Sequence, residues 1–222
     1  MKVVLIRHGE SIANFENYWT GWLDVPLTEK GKVQAKNAGK KISAENIQFD
    51  AVFTSVLKWA ILTSQVVLEE CNQLWVPVTK TWRLNERHYG ALIGKNKDEM
   101  SALYGVEQVK KWRRGYWEIP PLENSQTFDR RYQALASQDL PKGESLAQTL
   151  KRVVPLWQDQ IAPLLLDGKN ILVAGHGNSL RALVKYLEEV PDNQLASIAI
   201  PNAQPIVYEF DDKLQIVEKK LI

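Results

Sequence analysis

Two short apolar runs in this chain end in the same way. Val3-Val4-Leu5-Ile6 leads through Arg7 to His8-Gly9, and Ile171-Leu172-Val173-Ala174 leads through Gly175 to His176-Gly177. Continuous runs of this length, rich in β-branched residues, read as strands buried on both faces, as parallel strands are. Ligands of open α/β sheets bind where such strands end. Two imidazoles placed there, each beside a glycine that lets the backbone turn closely, can face one crevice. A single histidine after a strand is usually a hydrogen-bonded structural residue. The repeated context weighs against that reading.

The segments between these runs fit an α/β domain. Pro26-Leu27-Thr28 opens a helix with Thr28 as N-cap, and Val33, Ala35, Ala38 and Ile42 are its apolar positions. Residues 49–53 read as a strand, with Thr54 or Ser55 capping a helix whose Leu57, Ile61, Ser64 and Leu68 recur at helical spacing. Residues 76–79 suggest a third strand. A helix over 145–166 has Pro155 as a kink or break, a helix over 179–190 has an apolar face, and 206–210 reads as the last strand. The stretch from about 84 to 145 departs from this rhythm and reads as an inserted helical and loop lobe. Within it, 116–139 reads as a loop or lid. The expected fold is a three-layer α/β sandwich with a mostly parallel central sheet. All 222 residues form one domain in this reading.

Composition narrows the function. A formal net charge of +2 gives no argument for nucleic acid or a membrane surface as partner. The apolar N-terminal run is too short for a signal peptide or a membrane span. The one cysteine, Cys71, fits a reducing compartment, so a cytoplasmic protein is expected. Lys110, Lys111, Arg113 and Arg114, taken alone, read as a solvated helix face.

The neighbours of the two histidines suggest anion chemistry. Arg7 adjoins His8, and Asn178 and Ser179 follow His176 where a helix begins. Free N–H groups at a helix start favour an anion. An arginine, two imidazoles, an amide and a helix N-terminus describe a phosphate pocket. A neutral imidazole can attack phosphorus near pH 7. A zinc site built from His8, His88 and His176 is the weaker alternative, because no short metal-ligand spacing occurs.

Arg7-His8-Gly9-Glu10-Ser11 with Asn14 resembles the phosphohistidine signature of the histidine phosphatase superfamily. Thr20-Gly21-Trp22, Pro26-Leu27-Thr28 with Gly31, Asn85-Glu86-Arg87-His88-Tyr89-Gly90, Trp112-Arg113-Arg114-Gly115, Gly143-Glu144-Ser145-Leu146 and His176-Gly177-Asn178-Ser179-Leu180-Arg181 narrow the resemblance to the cofactor-dependent phosphoglycerate mutases. The resemblance implies interconversion of 2- and 3-phosphoglycerate in glycolysis and gluconeogenesis through a phosphohistidine. It implies 2,3-bisphosphoglycerate as primer, no metal, small phosphorylated sugar acids as partners, and compatibility with a homo-oligomer. By the same resemblance His8 is the nucleophile, Glu86 the general acid and base, and His176 and Arg7 hold the transferring phosphoryl group. Ser11, Asn14, Thr20, Gly21, Arg87, His88, Tyr89, Lys97, Arg113, Arg114, Gly177 and Asn178 match the substrate-binding positions. The Arg113-Arg114 pair then clamps a carboxylate or distal phosphate rather than facing solvent.

One residue departs from the family pattern. Trp59 stands where the family carries an arginine that contacts the transferring group. Loss of one pre-organised donor costs about 100- to 1000-fold in rate, roughly 3–4 kcal/mol. Trp59 either fills the arginine's place or packs beneath the site. Lys58 is turned about 100° away along the helix. The loop from Tyr116 to Gly143 is short, and the sequence ends at Ile222 without the tail that covers the site in many relatives. Both features favour water entry and hydrolysis. A phosphatase of the same superfamily and a non-catalytic phosphate-ligand binder are therefore the alternatives to a mutase.

Overall fold

The computed structural model describes all residues except 125–128 and 137–139. Its centre is a six-stranded sheet in the order β3-β2-β4-β1-β5-β6. Here β1 is Lys2–Arg7, β2 Ala51–Thr54, β3 Val78–Lys80, β4 Ile171–Gly175, β5 Ile206–Phe210 and β6 Ile216–Leu221. The first four strands in sheet order are parallel, and β5 and β6 run antiparallel at one edge.

Side chains alternate across a strand, so one buried strand feeds two cores. Val3 and Leu5 pack with Leu156, Leu180 and Leu183, while Val4 and Ile6 pack with Ile42, Phe49 and Val67. The first core lies under α6 (Leu146–Leu156), α7 (Ala162–Leu166) and α8 (Gly177–Leu187). The second lies under α2 (Glu29–Ala44) and α3 (Lys58–Glu70). A short α1 (Ile12–Phe15) precedes them. The chain is thus a three-layer α/β sandwich with a mostly parallel sheet. Residues 84–145 leave the sheet and carry α4 (Lys97–Tyr104) and α5 (Val106–Arg114). A separate cluster of Trp19, Tyr89, Leu92, Val109 and Trp112 seats this lobe.

Several boundaries differ from those read in the sequence. Helix α3 has Leu57, not Thr54 or Ser55, as N-cap, with no side-chain cap bond. The Ser55 hydroxyl lies 2.8 Å from His176 Nε2 and accepts the Leu57 N–H at 3.2 Å, one residue before the helix starts. Pro155 does not break its helix. The chain passes from α6 into a π-helical turn over Trp157–Ile161 and on into α7. Helix α8 begins at Gly177, with His176 as N-cap. The strand at 206–210 is not the last. β6 follows it as an exposed edge strand with charges at Glu218, Lys219 and Lys220, so it has no apolar run to announce it. Within 116–139, a 3-10 turn at Arg130–Tyr132 is the one regular element among the described residues, and part of that segment lies outside them.

Candidate active site

Because β1 and β4 are paired with Arg7 opposite Gly175, the loops that follow them leave the sheet side by side. The His8 backbone N–H donates to the Gly175 carbonyl at 3.0 Å. The two imidazole rings end 5.2 Å apart, both fully buried. The loop carrying His8 presses against the start of α2. A Cβ on Gly9 would lie 2.1 Å from the Gly31 carbonyl oxygen, and one on Gly31 would lie 2.1 Å from that of Glu10. Only glycine permits this approach at either position.

The hydrogen bonds fix the chemistry of His8. Its Nδ1 lies 2.7 Å from the Gly9 carbonyl, which can only accept, so Nδ1 carries the proton and Nε2 the lone pair. Burial, then the charge of Arg7, holds its pKa well below 6.5, so the ring is neutral at pH 7. His176 is likewise held well below 6.5, first by burial and then by His8 and Arg7. Its Nε2 meets Ser55 Oγ. Asn202, which no sequence signal marks, donates from Nδ2 to the His8 carbonyl at 2.8 Å.

His8, with Gly177 next to His176, lines a cavity of about 270 Å³. Arg7, Lys97, Arg113, Arg114 and Arg181 line it, against one carboxylate, Glu86. Such a surplus of cations suits a multiply charged anion. Lys97 is pushed down to about 8 by burial and then by Arg113 and Arg7. Glu86 Oε1 accepts from the backbone N–H groups of Arg87 (2.8 Å) and Asn178 (3.1 Å), the latter in the first turn of α8. Asn178 in turn donates to Tyr89 Oη at 2.7 Å and accepts from Arg181 at 2.7 Å. Arg181 follows Asn178 by one helical turn. That spacing is visible in the sequence, although the motif gave Arg181 no role.

Trp59 Nε1, His8 Nε2, His176 Nδ1 and Arg7 Nε are all buried without a hydrogen-bond partner among the described residues. A buried polar atom left unpaired costs about 1–3 kcal/mol. Of these, the Arg7 donor on the cavity wall fits a ligand with acceptor oxygens, and His8 Nε2 is the unpaired lone pair beside it. Among the described residues no three His, Cys, Asp or Glu side chains form a metal-binding group, and His88 lies on a different pocket from His8.

A profile of the histidine phosphatase superfamily (branch 1) matches residues 3–138 and 126–220. The 2,3-bisphosphoglycerate-dependent phosphoglycerate mutase 2 of Lactiplantibacillus plantarum is 54% identical over 224 residues, covering 99% of this chain and 97% of that protein. The 2,3-bisphosphoglycerate-dependent phosphoglycerate mutase of Streptococcus agalactiae is 52% identical with the same coverage. The chain belongs to this mutase family, within the histidine phosphatase superfamily.

Two solved structures share the fold. A mycobacterial glucosyl-3-phosphoglycerate phosphatase bound to VO3 superposes with a TM-score of 0.75 at 22% identity, covering 99% of this chain and 96% of that one. Bacillus stearothermophilus YhfR gives 0.75 at 24%, covering 97% and 93%.

Of the residues the mutase motifs single out, Arg7, His8, Asn14, Thr20, Glu86, Tyr89, Lys97, Arg113, Arg114, Gly177 and Asn178 line the cavity. Four others do not. Ser11 caps α1 through its hydroxyl. Gly21 packs in a turn with φ +53° against Ile93 and Tyr89. Arg87 is buried and donates to the carbonyls of Glu144, Gly115 and Glu118, which ties the lobe together. His88 takes the Gly90 N–H on Nδ1 and points its other nitrogen towards Glu123 at 3.8 Å. These four support the site and do not reach into it. Lys58 is exposed and is not among the cavity-lining residues.

Proposed function

We propose that this chain is a 2,3-bisphosphoglycerate-dependent phosphoglycerate mutase, interconverting 2- and 3-phosphoglycerate in glycolysis and gluconeogenesis. It works as one domain over residues 1–222, in the cytoplasm, on small phosphorylated sugar acids. The observation that supports this most is the tautomer of His8: a neutral ring whose proton is held by Gly9, leaving Nε2 as nucleophile beside His176 and Arg7.

The residues divide the work. His8 Nε2 forms a bond to phosphorus as the bond from phosphorus to the glycerate oxygen breaks, and Glu86 returns a proton to that oxygen. In the opposite direction Glu86 takes the proton of the acceptor hydroxyl while the N–P bond breaks. Arg7, His176 and the first turn of α8 stabilise the charge on the transferring group. Arg113, Arg114 and Lys97 hold the far end of the substrate, and Tyr89 and Arg181 keep Asn178 in place. 2,3-Bisphosphoglycerate supplies the phosphoryl group that primes His8, and Arg7 Nε, a buried donor with no partner among the described residues, is consistent with a ligand bearing several anionic oxygens.

The test is incubation with 2,3-bisphosphoglycerate, followed by peptide mapping under conditions that preserve acid-labile phosphate. One phosphate on His8, lost in His8→Ala, is expected. Label mainly on another residue would overturn the reading.

A further inference from the structure

Trp59 packs against both imidazoles at once. Its ring centroid lies 4.2 Å from that of His8 and 4.4 Å from that of His176, at tilts of 47° and 53°. The three rings form a closed triangle, since the histidines are 5.2 Å apart. His8 Nε2, the atom that carries the lone pair, is buried and has no hydrogen-bond partner among the described residues. A water-sized probe does not reach it, and a phosphoryl group is larger than water. Trp59 and His8 both line the substrate cavity and His176 does not, yet His8 Nε2 itself stays buried beside the indole. On its other side it rests on Leu27 and Leu57.

We propose that Trp59 is a plug over the nucleophile: its indole fills the space a transferring phosphoryl group must enter, and phosphoryl transfer occurs only when the side chain moves aside. This inference rests on the reading of His8 as the phosphorylated residue. The ring is held closed by packing alone, because its Nε1 makes no hydrogen bond among the described residues. Opening therefore breaks no polar contact of that ring. It also leaves Arg7 Nε and His176 Nδ1 free to meet phosphoryl oxygens. With the plug aside, the N–P bond forms as the P–O bond to glycerate breaks, and Glu86 returns the proton. The observed rate is then scaled down by the fraction of molecules that are open.

The backbone ties the plug to the nucleophile loop. Thr63 Oγ1 donates to the Trp59 carbonyl at 2.8 Å and accepts from the Gly9 N–H at 3.1 Å. Side-chain rotation, rather than displacement of the helix, is thus the opening motion that keeps His8 in position.

The experiment compares His8 phosphorylation by 2,3-bisphosphoglycerate in the parent, Trp59→Ala, Trp59→Leu and Trp59→Arg, with folding monitored by circular dichroism. A plug open about one-tenth of the time or less predicts that Trp59→Ala labels at least about tenfold faster than the parent. Trp59→Arg adds a donor to the opened site and should also gain about tenfold or more. Trp59→Leu keeps apolar packing with a smaller side chain and should fall between parent and alanine. Slower labelling in both folded Trp59→Ala and folded Trp59→Leu would overturn the plug and make the indole N–H a donor in the arginine's place. A second measurement needs no variant to fold: diethyl pyrocarbonate modification of the parent at pH 7. His8 should resist the reagent, and modification of His8 as fast as that of a free imidazole overturns the proposal. The two readings separate cleanly. Label on His8 in Trp59→Arg upholds the phosphohistidine whichever way alanine falls, whereas absence of label in every folded form overturns both.

Discussion

Arg152 holds Glu144 in a buried ion pair at 2.7 Å directly beneath the segment that carries Glu86. The same guanidinium donates to the carbonyls of Arg83 (2.7 Å), Asn85 (3.0 Å) and Glu86 (3.0 Å). Glu144 meanwhile accepts from the His88 backbone N–H at 2.7 Å. One pair from the base of α6 therefore sets the path of residues 83–88. Removing one member of a buried pair costs roughly 3–5 kcal/mol. Arg152→Met is expected to lose stability of that order in urea unfolding. In whatever fraction remains folded, kcat should fall while KM changes little, because the carboxylate is displaced and the anion clamps are not. A variant as stable as the parent would refute the role.

The carboxylate itself gives a second test. Glu86→Gln keeps the shape and the acceptor oxygen but cannot carry a proton. Transfer to and from the glycerate hydroxyl should drop by about 100- to 10,000-fold, the range for general acid-base catalysis. Phosphorylation of His8 by a donor with a good leaving group should drop far less, since that oxygen needs no proton. Equal losses with both donors would reassign the acid.

Much of this arrangement is legible in the sequence, for physical reasons that differ by residue. β1 and β4 are buried on both faces, so their apolar runs are unbroken and their ends mark His8 and His176. β6 shows an exposed edge and has no such signal. The Asn85–Gly90 motif locates the acid but assigns site contact to Glu86, Arg87, His88 and Tyr89 alike. In a bent backbone segment they point in different directions: Glu86 and Tyr89 line the cavity, while Arg87 and His88 turn into the lobe. Asn202 lies far along the chain in a loop, and only tertiary structure brings it to His8. Trp59 is plain in the sequence as an exception, but its contact with both rings depends on how α3 meets β1 and β4.

Lys97 carries a pH dependence. Its ammonium is held down to about 8, chiefly by burial, then by Arg113 and Arg7. Above that pH the free protein loses one cation from the anion site. kcat/KM should therefore decline above about pH 8 with the slope of a single proton. Lys97→Arg keeps its charge and should stay level through pH 9. Parallel profiles for the two proteins would show that Lys97 does not govern binding.

Stability should respond to acid through the three histidines. His8 and His176 are held well below 6.5, and His88 is lowered to about 4, in each case chiefly by burial. Below pH 6.5 the unfolded chain takes up protons that the folded chain refuses. Their contribution to stability is thus full above 6.5 and is lost as pH falls, by up to about 1.4 kcal/mol per pH unit for each proton. His88→Asn retains an acceptor for Gly90 and should flatten the slope between pH 6.5 and 4 by about one proton. An unchanged slope in urea unfolding would mean that His88 titrates alike in both states.

The most direct test of the account is a coupled assay of 3-phosphoglycerate conversion to 2-phosphoglycerate, run with and without 2,3-bisphosphoglycerate and with inorganic phosphate measured in parallel. Conversion that requires the bisphosphate, releases little inorganic phosphate and disappears in His8→Ala is the predicted result. Conversion that survives intact in His8→Ala, or release of inorganic phosphate with no isomerisation, would contradict it.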